Sequence, residues 1–245
     1  MQEKRLPPRL AGLPPIVIVV GHYGVGKTNF ALNLASDLAL AGRKVTVADL
    51  DIVNPFFRSS DYEGLLSGRG IDVIKPELAG SALDVPALSG RIDTAIDQAQ
   101  GSDGKETLVL DVGGDDVGAV ALGRYSKAIA RAPYAMLYVV NAFRDDGDDV
   151  GLAASLLSEI EADSHLEATA IVGNSHLQSE TDAETIARGA EFAERVSHAV
   201  DLPVWAVTSP DASLVEKKAG PRGLDSYIVS VYVKTPWDVS DGSLS

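Results

Sequence analysis

Ile16-Val17-Ile18-Val19-Val20-Gly21-His22-Tyr23-Gly24-Val25-Gly26-Lys27-Thr28 is the run on which the reading of this chain turns. Five β-branched residues predict a buried strand, and a helical pattern begins at Asn29-Phe30-Ala31-Leu32, directly after the glycines. A GxxxxGK[ST] loop grips phosphate when it joins a buried strand to a helix N-terminus, because unpaired backbone N–H groups and the helix dipole then converge on one anion. Gly21, Gly24 and Gly26 permit positive φ and let the backbone approach a phosphate closely. Lys27 puts an ammonium where β- and γ-phosphates lie, and the Thr28 hydroxyl is placed to ligate Mg2+. The expected nucleotide-binding residues are Gly21, His22, Tyr23, Gly24, Val25, Gly26, Lys27, Thr28 and Asn29. A glycine turn that binds nothing is the plainer alternative, and Lys-Thr at the right offset after a strand argues against it.

Outward from the loop, Phe30, Leu34 and Leu38 recur at fours with Ala31 and Ala35 beside them, and Gly42 is a stop signal, so a core-facing helix is expected. Residues 44–48 read as a second strand, 73–74 as a short one, 86–99 as a helix with Leu88, Ile92 and Ile96 on one face, and 107–111 as a further strand. The alternation continues with a helix around 121–131, strand 134–140, helix 149–161, strand 169–173, helix 182–200 and strand 203–208. Thr181-Asp182-Ala183-Glu184 reads as a capping box, and Ser226 to Lys234 as a last edge strand. Continuous apolar strands alternating with helices predict an α/β fold of three layers, a mostly parallel sheet with helices on both faces. No repeat or linker marks a second domain: the expected organisation is a Pro-rich arm over 1–15, loose or lying on the surface, one domain over 16–235, and a flexible tail over 236–245.

In an open parallel sheet, ligands sit outside the carboxyl ends of the strands. Asp49 and Asp51 after the second strand, and Asp111 at the end of the fourth, occupy that edge by position. Carboxylates there support Mg2+ directly or through a bound water. Asp111-Val112-Gly113-Gly114 adds a mobile backbone able to sense a γ-phosphate through its N–H groups, which makes 111–118 a candidate switch; the bland reading is an ordinary glycine turn.

The chain has 245 residues, 21 Lys and Arg against 35 Asp and Glu, a formal net charge of -14 and no cysteine. Phosphate neutralisation needs clustered cations, so direct binding to nucleic acid is not expected. Disulfides, thiolate metal sites and cysteine-ligated iron–sulfur clusters are excluded. The apolar run 16–20 is too short to span a bilayer and no terminal basic amphipathic helix is visible, so the expectation is a cytoplasmic protein with no membrane role. His22, His165, His176 and His198 show no ligand spacing, and Asp145-Asp146-Gly147-Asp148-Asp149 lacks the spacing of a calcium loop.

The strand, the GxxGxGKT loop, Asp49-Leu50-Asp51 and the later Asp111-Val112-Gly113-Gly114 together resemble the ParA/MinD-type branch of P-loop NTPases, the CobQ/CobB/MinD/ParA nucleotide-binding group. The resemblance implies that Asp51 positions the attacking water, that Asp49 supports Mg2+, and that Asn174 faces the base with Pro210 nearby. One departure stands out. The place of the family's signature lysine, which reaches the partner's phosphates across an ATP sandwich dimer, is held by His22, and the next glycine by Tyr23; His22, Arg58 and Arg124 are the candidates for a substitute charge. No NKxD-type guanine signature follows a strand, so adenine is favoured. Three readings stay open. The first is a Mg2+-dependent ATPase, slow on its own, with Lys27 and Asp51 as its catalytic residues and ATP and Mg2+ as its ligands, coupled to a protein partner or a homodimer. The second is a nucleotide-gated binding module with negligible hydrolysis, using residues 52–63 with Phe56 and Phe57, and 112–118. The third is a ligase of the dethiobiotin-synthetase type, ranked lower because only Arg58 and Lys75 would be cations near an acceptor.

Overall fold

The apolar runs pair side by side as one sheet. In chain order they are β1 (Ile16–Val20), β2 (Lys44–Asp49), β3 (Asp72–Ile74), β4 (Glu106–Asp111), β5 (Tyr134–Val140), β6 (Ala170–Gly173), β7 (Val204–Ser209) and β8 (Ser226–Ile228). The computed structural model describes residues 8–51, 62–75, 84–114, 116–144, 148–177, 180–216 and 224–233. The sheet runs β3-β2-β4-β1-β5-β6-β7-β8, with every pairing parallel. β1 is central and buried throughout, which is why it carries β-branched residues on both faces.

Side-chain alternation along β1 divides the core in two. Ile16, Ile18 and Val20 join one layer with Ile92 and Ile96 of α3 (Asp84–Gly101), Leu122 of α4 (Asp116–Gly123), Leu157 of α6 (Val150–Ser164), and Phe192 and Val196 of α7 (Ala183–Val200). Val17 and Val19 join the other, with Phe30, Leu34 and Leu38 of α1 (Lys27–Leu40) and Leu66 of α2 (Glu63–Ser67). The expected three-layer α/β architecture is thus the one observed. On the α1 face Phe30, Trp205 and Tyr227 meet edge to face, with centroids 5.5 to 6.0 Å apart. Burying Phe30 completely stabilises the fold by about 1.5–3 kcal/mol.

Four expectations need correction. The helix placed around 121–131 is two pieces, α4 and α5 (Ser126–Ile129). A Cβ on Gly123 would meet the Asp163 carbonyl at 2.6 Å, so α4 ends pressed against α6, and the chain then turns to bury Tyr125 in the core. The last strand stops at Ile228, because residues 229–233 leave the sheet to run along α1. There Asn33 donates to the Ser230 carbonyl and accepts from the Ser230 N–H at 2.8 and 2.7 Å, while Asn29 accepts from Tyr232 and Val233. Tyr227 donates to Asp37 at 2.8 Å, and burial together with the Asp37 charge pushes its phenol well up, so it remains a donor.

The cap of α7 is Asp182, one residue later than the predicted box: its carboxylate accepts from the Thr185 N–H at 2.7 Å, while the Thr181 hydroxyl accepts from Leu177. Hydrogen bonds to Thr185 hold the Asp182 carboxyl below its usual range. The N-terminal arm is not loose where it is described. Leu10 and Leu13 are buried in the α1-side core, and Arg9 donates to the Val204 and Trp205 carbonyls and pairs with Asp225. Residues 1–7, the loop with Phe56, Phe57 and Arg58, and the tail over 236–245 lie outside the described residues.

Candidate functional site

Position β1 between β4 and β5 and its carboxyl end becomes the place where flanking loops converge. The chain leaves Val20 through Gly21 (φ 149°), Gly24 (φ 77°) and Gly26 (φ 89°) and starts α1 at Lys27. Gly21 has no room for a side chain, since a Cβ there would lie 2.4 Å from the Val139 carbonyl of β5. Gly26 is the N-cap in the left-handed region and brings no side chain to the first-turn amides, so these remain available to an anion. Lys27 is 8% exposed and spans the loop, its Nζ donating to the His22 carbonyl at 2.9 Å. His22 and Thr28 are half-buried, Val25 is buried, and Tyr23 is exposed.

On the β4 side, Asp49 and Asp111 are buried at the ends of adjacent strands and are register partners. Neighbouring parallel strands lie about 4.8 Å apart, and two carboxylates that close repel unless a cation or a proton lies between them. Asp49 also accepts from the Asp51 N–H at 2.9 Å, which fixes the turn that carries the half-buried Asp51. Beyond Asp111 the backbone comes down onto the loop: a Cβ on Gly114 would meet the Lys27 Nζ at 2.6 Å and the Tyr23 N at 2.6 Å. A Cβ on Gly118 would likewise lie 2.6 Å from the Gly113 carbonyl. Only glycine fits at these contacts, so the Asp-x-Gly-Gly run of the sequence is a packing surface laid against the phosphate loop.

Among the described residues, no group of three His, Cys, Asp or Glu side chains converges as a metal site. The chemistry of the donors present, the Thr28 hydroxyl with the Asp49 and Asp111 carboxylates, nevertheless fits Mg2+. That ion takes hard oxygen ligands, keeps several waters and is completed by substrate phosphates rather than by an all-protein cage.

On the β6 side two asparagines make contacts that the sequence did not announce. Asn174, 3% exposed at the end of β6, donates its amide to the Val25 carbonyl at 2.7 Å and accepts from the Thr208 hydroxyl at 2.6 Å. Its carboxamide clamps the loop. Asn29 sits in the first turn of α1, but its side chain is committed to residues 230–233, leaving its backbone N–H for the loop. Pro210 is half-buried just beyond β7. Thr208 went unnoticed in the sequence; its signal was a hydroxyl inside an otherwise apolar strand, Val-Trp-Ala-Val-Thr-Ser. His176, two residues past Asn174, has both ring nitrogens buried without a hydrogen-bond partner, and burial lowers its pKa.

Lys75 follows β3 at the sheet edge, three strands from β1, so it is not brought to the loop. A groove between β3 and α3, lined by Ile74, Arg91 and Gln98 among others, lies at the same edge and holds no converging catalytic set. Among the described residues no helix is long and apolar enough to cross a membrane.

Comparison with known proteins agrees with this geometry. The CobQ/CobB/MinD/ParA nucleotide binding domain matches residues 16–208. A stretch of 68 residues is 41% identical to the cytosolic Fe-S cluster assembly factor CFD1 of Yarrowia lipolytica, covering 26% of this chain and 23% of that protein. Among solved structures, FtsY from Mycoplasma mycoides superposes with a TM-score of 0.57 at 19% identity, covering 85% of this chain and 61% of that one. The signal recognition particle 54 kDa protein from Aeropyrum pernix K1, in complex with GDP, gives 0.52 at 20% identity, covering 84% of this chain and 43% of that one. At such identities the likeness is one of fold, and the chain spans less than two thirds of the length of these relatives.

Proposed function

The chain belongs to the CobQ/CobB/MinD/ParA nucleotide-binding domain family, and from that premise we propose that it binds ATP with Mg2+, hydrolyses it slowly and passes its nucleotide state to a protein partner. The observation that carries this reading is the contact of Gly114 with Tyr23 and Lys27, where the segment after β4 closes on the phosphate loop. A polyphosphate held by the 21–28 amides meets that segment directly, so its presence and its hydrolysis alter the packing of 112–118.

Each residue has a defined task. Amides of residues 21–28 and the Lys27 ammonium hold the β- and γ-phosphates, and Lys27 gives up the His22 carbonyl to do so. Thr28, Asp49 and Asp111 would hold Mg2+, which would supply charge to neutralise the phosphate oxygens. Asp51, fixed by its N–H to Asp49, orients the attacking water. Asn174 and Thr208 keep the loop in shape from the side of the base. Catalysis is then mainly positioning and electrostatics, and a cytoplasmic setting suits it.

Exposed apolar side chains beside the loop, Tyr23 at 54% and Val117 and Val120 of α4 at 48% and 51%, support a docking face for a partner, a second copy included. The same face supports a second reading, a switch that binds nucleotide and barely hydrolyses it. Steady-state phosphate release separates the two. Release by the parent that disappears in Asp51→Ala supports the ATPase, whereas tight ATP binding with no release in either protein supports the switch.

A further inference from the structure

Within residues 21–28 Lys27 is the one full cation, and the chain as a whole carries a net charge of -14. A polyphosphate bound there needs more positive charge than one ammonium brings. Most arginines near the core are already spent: Arg9 on the Val204 and Trp205 carbonyls, Arg43 on the Leu13 carbonyl and the Thr107 hydroxyl, Arg69 on Ser36 and Tyr232. Arg144 differs. It is exposed, and a methyl group placed on Gly24 of the phosphate loop would touch its Cδ at 3.9 Å.

The position of Arg144 is built rather than incidental. β5 ends at Val140, and residues 141–144 close a turn in which the Asn141 side-chain oxygen accepts from the Phe143 N–H at 2.9 Å and the Asn141 carbonyl accepts from the Arg144 N–H at 3.4 Å. The Ala142 N–H donates to the Ser175 hydroxyl at 2.8 Å, tying the turn to the end of β6. From behind, the Arg188 guanidinium of α7 lies 5.1 Å from the Phe143 ring centre, and Gly189 of the same helix leaves Ser175 no slack, with 2.3 Å from a Cβ there to the Ser175 Cβ. The loop itself leans on β5 through Gly21 and Val139. Three elements thus hold the turn that carries this exposed arginine, with its stem near Gly24 of the loop.

We propose that Arg144 is a phosphate-binding residue that acts, from the same chain, on the polyphosphate held by residues 21–28. The assignment rests on the nucleotide reading above. A guanidinium is always charged and its fork of N–H donors matches phosphate oxygens, so a fixed stem beside the loop gives it both charge and direction. It also means that the site does not depend on a second chain for its further cation.

The test is binding of a fluorescent ATP analogue in the presence of Mg2+, followed by displacement with unlabelled ATP and with inorganic tripolyphosphate, for the parent, Arg144→Ala, Arg144→Lys and the surface control Arg195→Ala. Arg144→Ala is expected to weaken both competitors by roughly tenfold to a hundredfold, the loss of a hydrogen bond to a charged group. Arg144→Lys should recover part of it, and Arg195→Ala should match the parent. If Arg144→Ala binds both competitors as the parent does, the assignment is overturned. It is also overturned if ATP weakens while tripolyphosphate does not, since the arginine then reads the nucleoside. A parent that binds no nucleotide at all defeats the nucleotide reading itself, and this assignment with it.

Discussion

On the β4 side the phosphate loop faces the backbone of Gly114, a few residues past the Asp111 carboxylate; on the β5 and β6 side it is held by the Asn174 carboxamide and lies near the stem of Arg144, whose turn Ser175 fastens. The first flank meets the loop through the backbone at Gly114, where a Cβ would lie 2.6 Å from the Tyr23 N. The second is fastened by side-chain hydrogen bonds, Asn174 to Val25 and Ser175 to Ala142. Glycine packing beyond the Val112 N–H bond to the Val19 carbonyl can shift at less cost than a buried side-chain amide bond can be left unmade. One flank is therefore suited to respond to the ligand and the other to keep the loop in register.

Lys27 lies between the loop and Gly114, and its removal has the largest effect. Lys27→Ala should lose about 1.5–3 kcal/mol of ATP binding by calorimetry, and equal affinity in the mutant would remove it from the site. Asn174→Ala strikes the fixed flank by removing the bond to the Val25 carbonyl and leaving the Thr208 hydroxyl only the longer one to the Gly173 carbonyl. A loss of about 2–3 kcal/mol in urea unfolding is expected, and an unchanged midpoint would mean the clamp is not a structural one. Gly114→Ala strikes the responsive flank. Forcing a Cβ against Tyr23 costs about 1–2 kcal/mol and should speed hydrogen exchange over 112–118 while β6 and β7 stay protected; even protection of both flanks would erase the contrast.

The smallest effect concerns His176, beside the fixed flank. Burial lowers its folded pKa below 6.5, so the unfolded chain takes up the proton first as pH falls. Stability should be level above pH 6.5 and decline below it, by no more than about 1.4 kcal/mol per pH unit for one proton. His176→Gln should flatten that decline in thermal melts between pH 7.5 and 5.5, and a persisting decline would assign it to other groups.

The sequence made the loop and the sheet plain because both rest on local chemistry: β-branched runs buried on two faces, and glycines where φ is positive. The strand-end positions of Asp49 and Asp111 were legible for the same reason, since strand ends in a parallel sheet lie along one edge. What stayed hidden depended on distant partners. Asn29 holds a segment 201 residues away and Asn174 a loop 149 residues away, contacts that their positions alone did not announce. The break between α4 and α5 and the early end of β8 likewise follow from contacts with α6 and α1, which no local pattern encodes.

The central claim is that backbone amides after β1 grip a polyphosphate while acidic strand ends manage its metal. Titrating ATP into the protein by calorimetry, with and without Mg2+, tests it most directly. One saturable site per chain that tightens when Mg2+ is present is the predicted result; no measurable heat with any nucleoside triphosphate under either condition would contradict it.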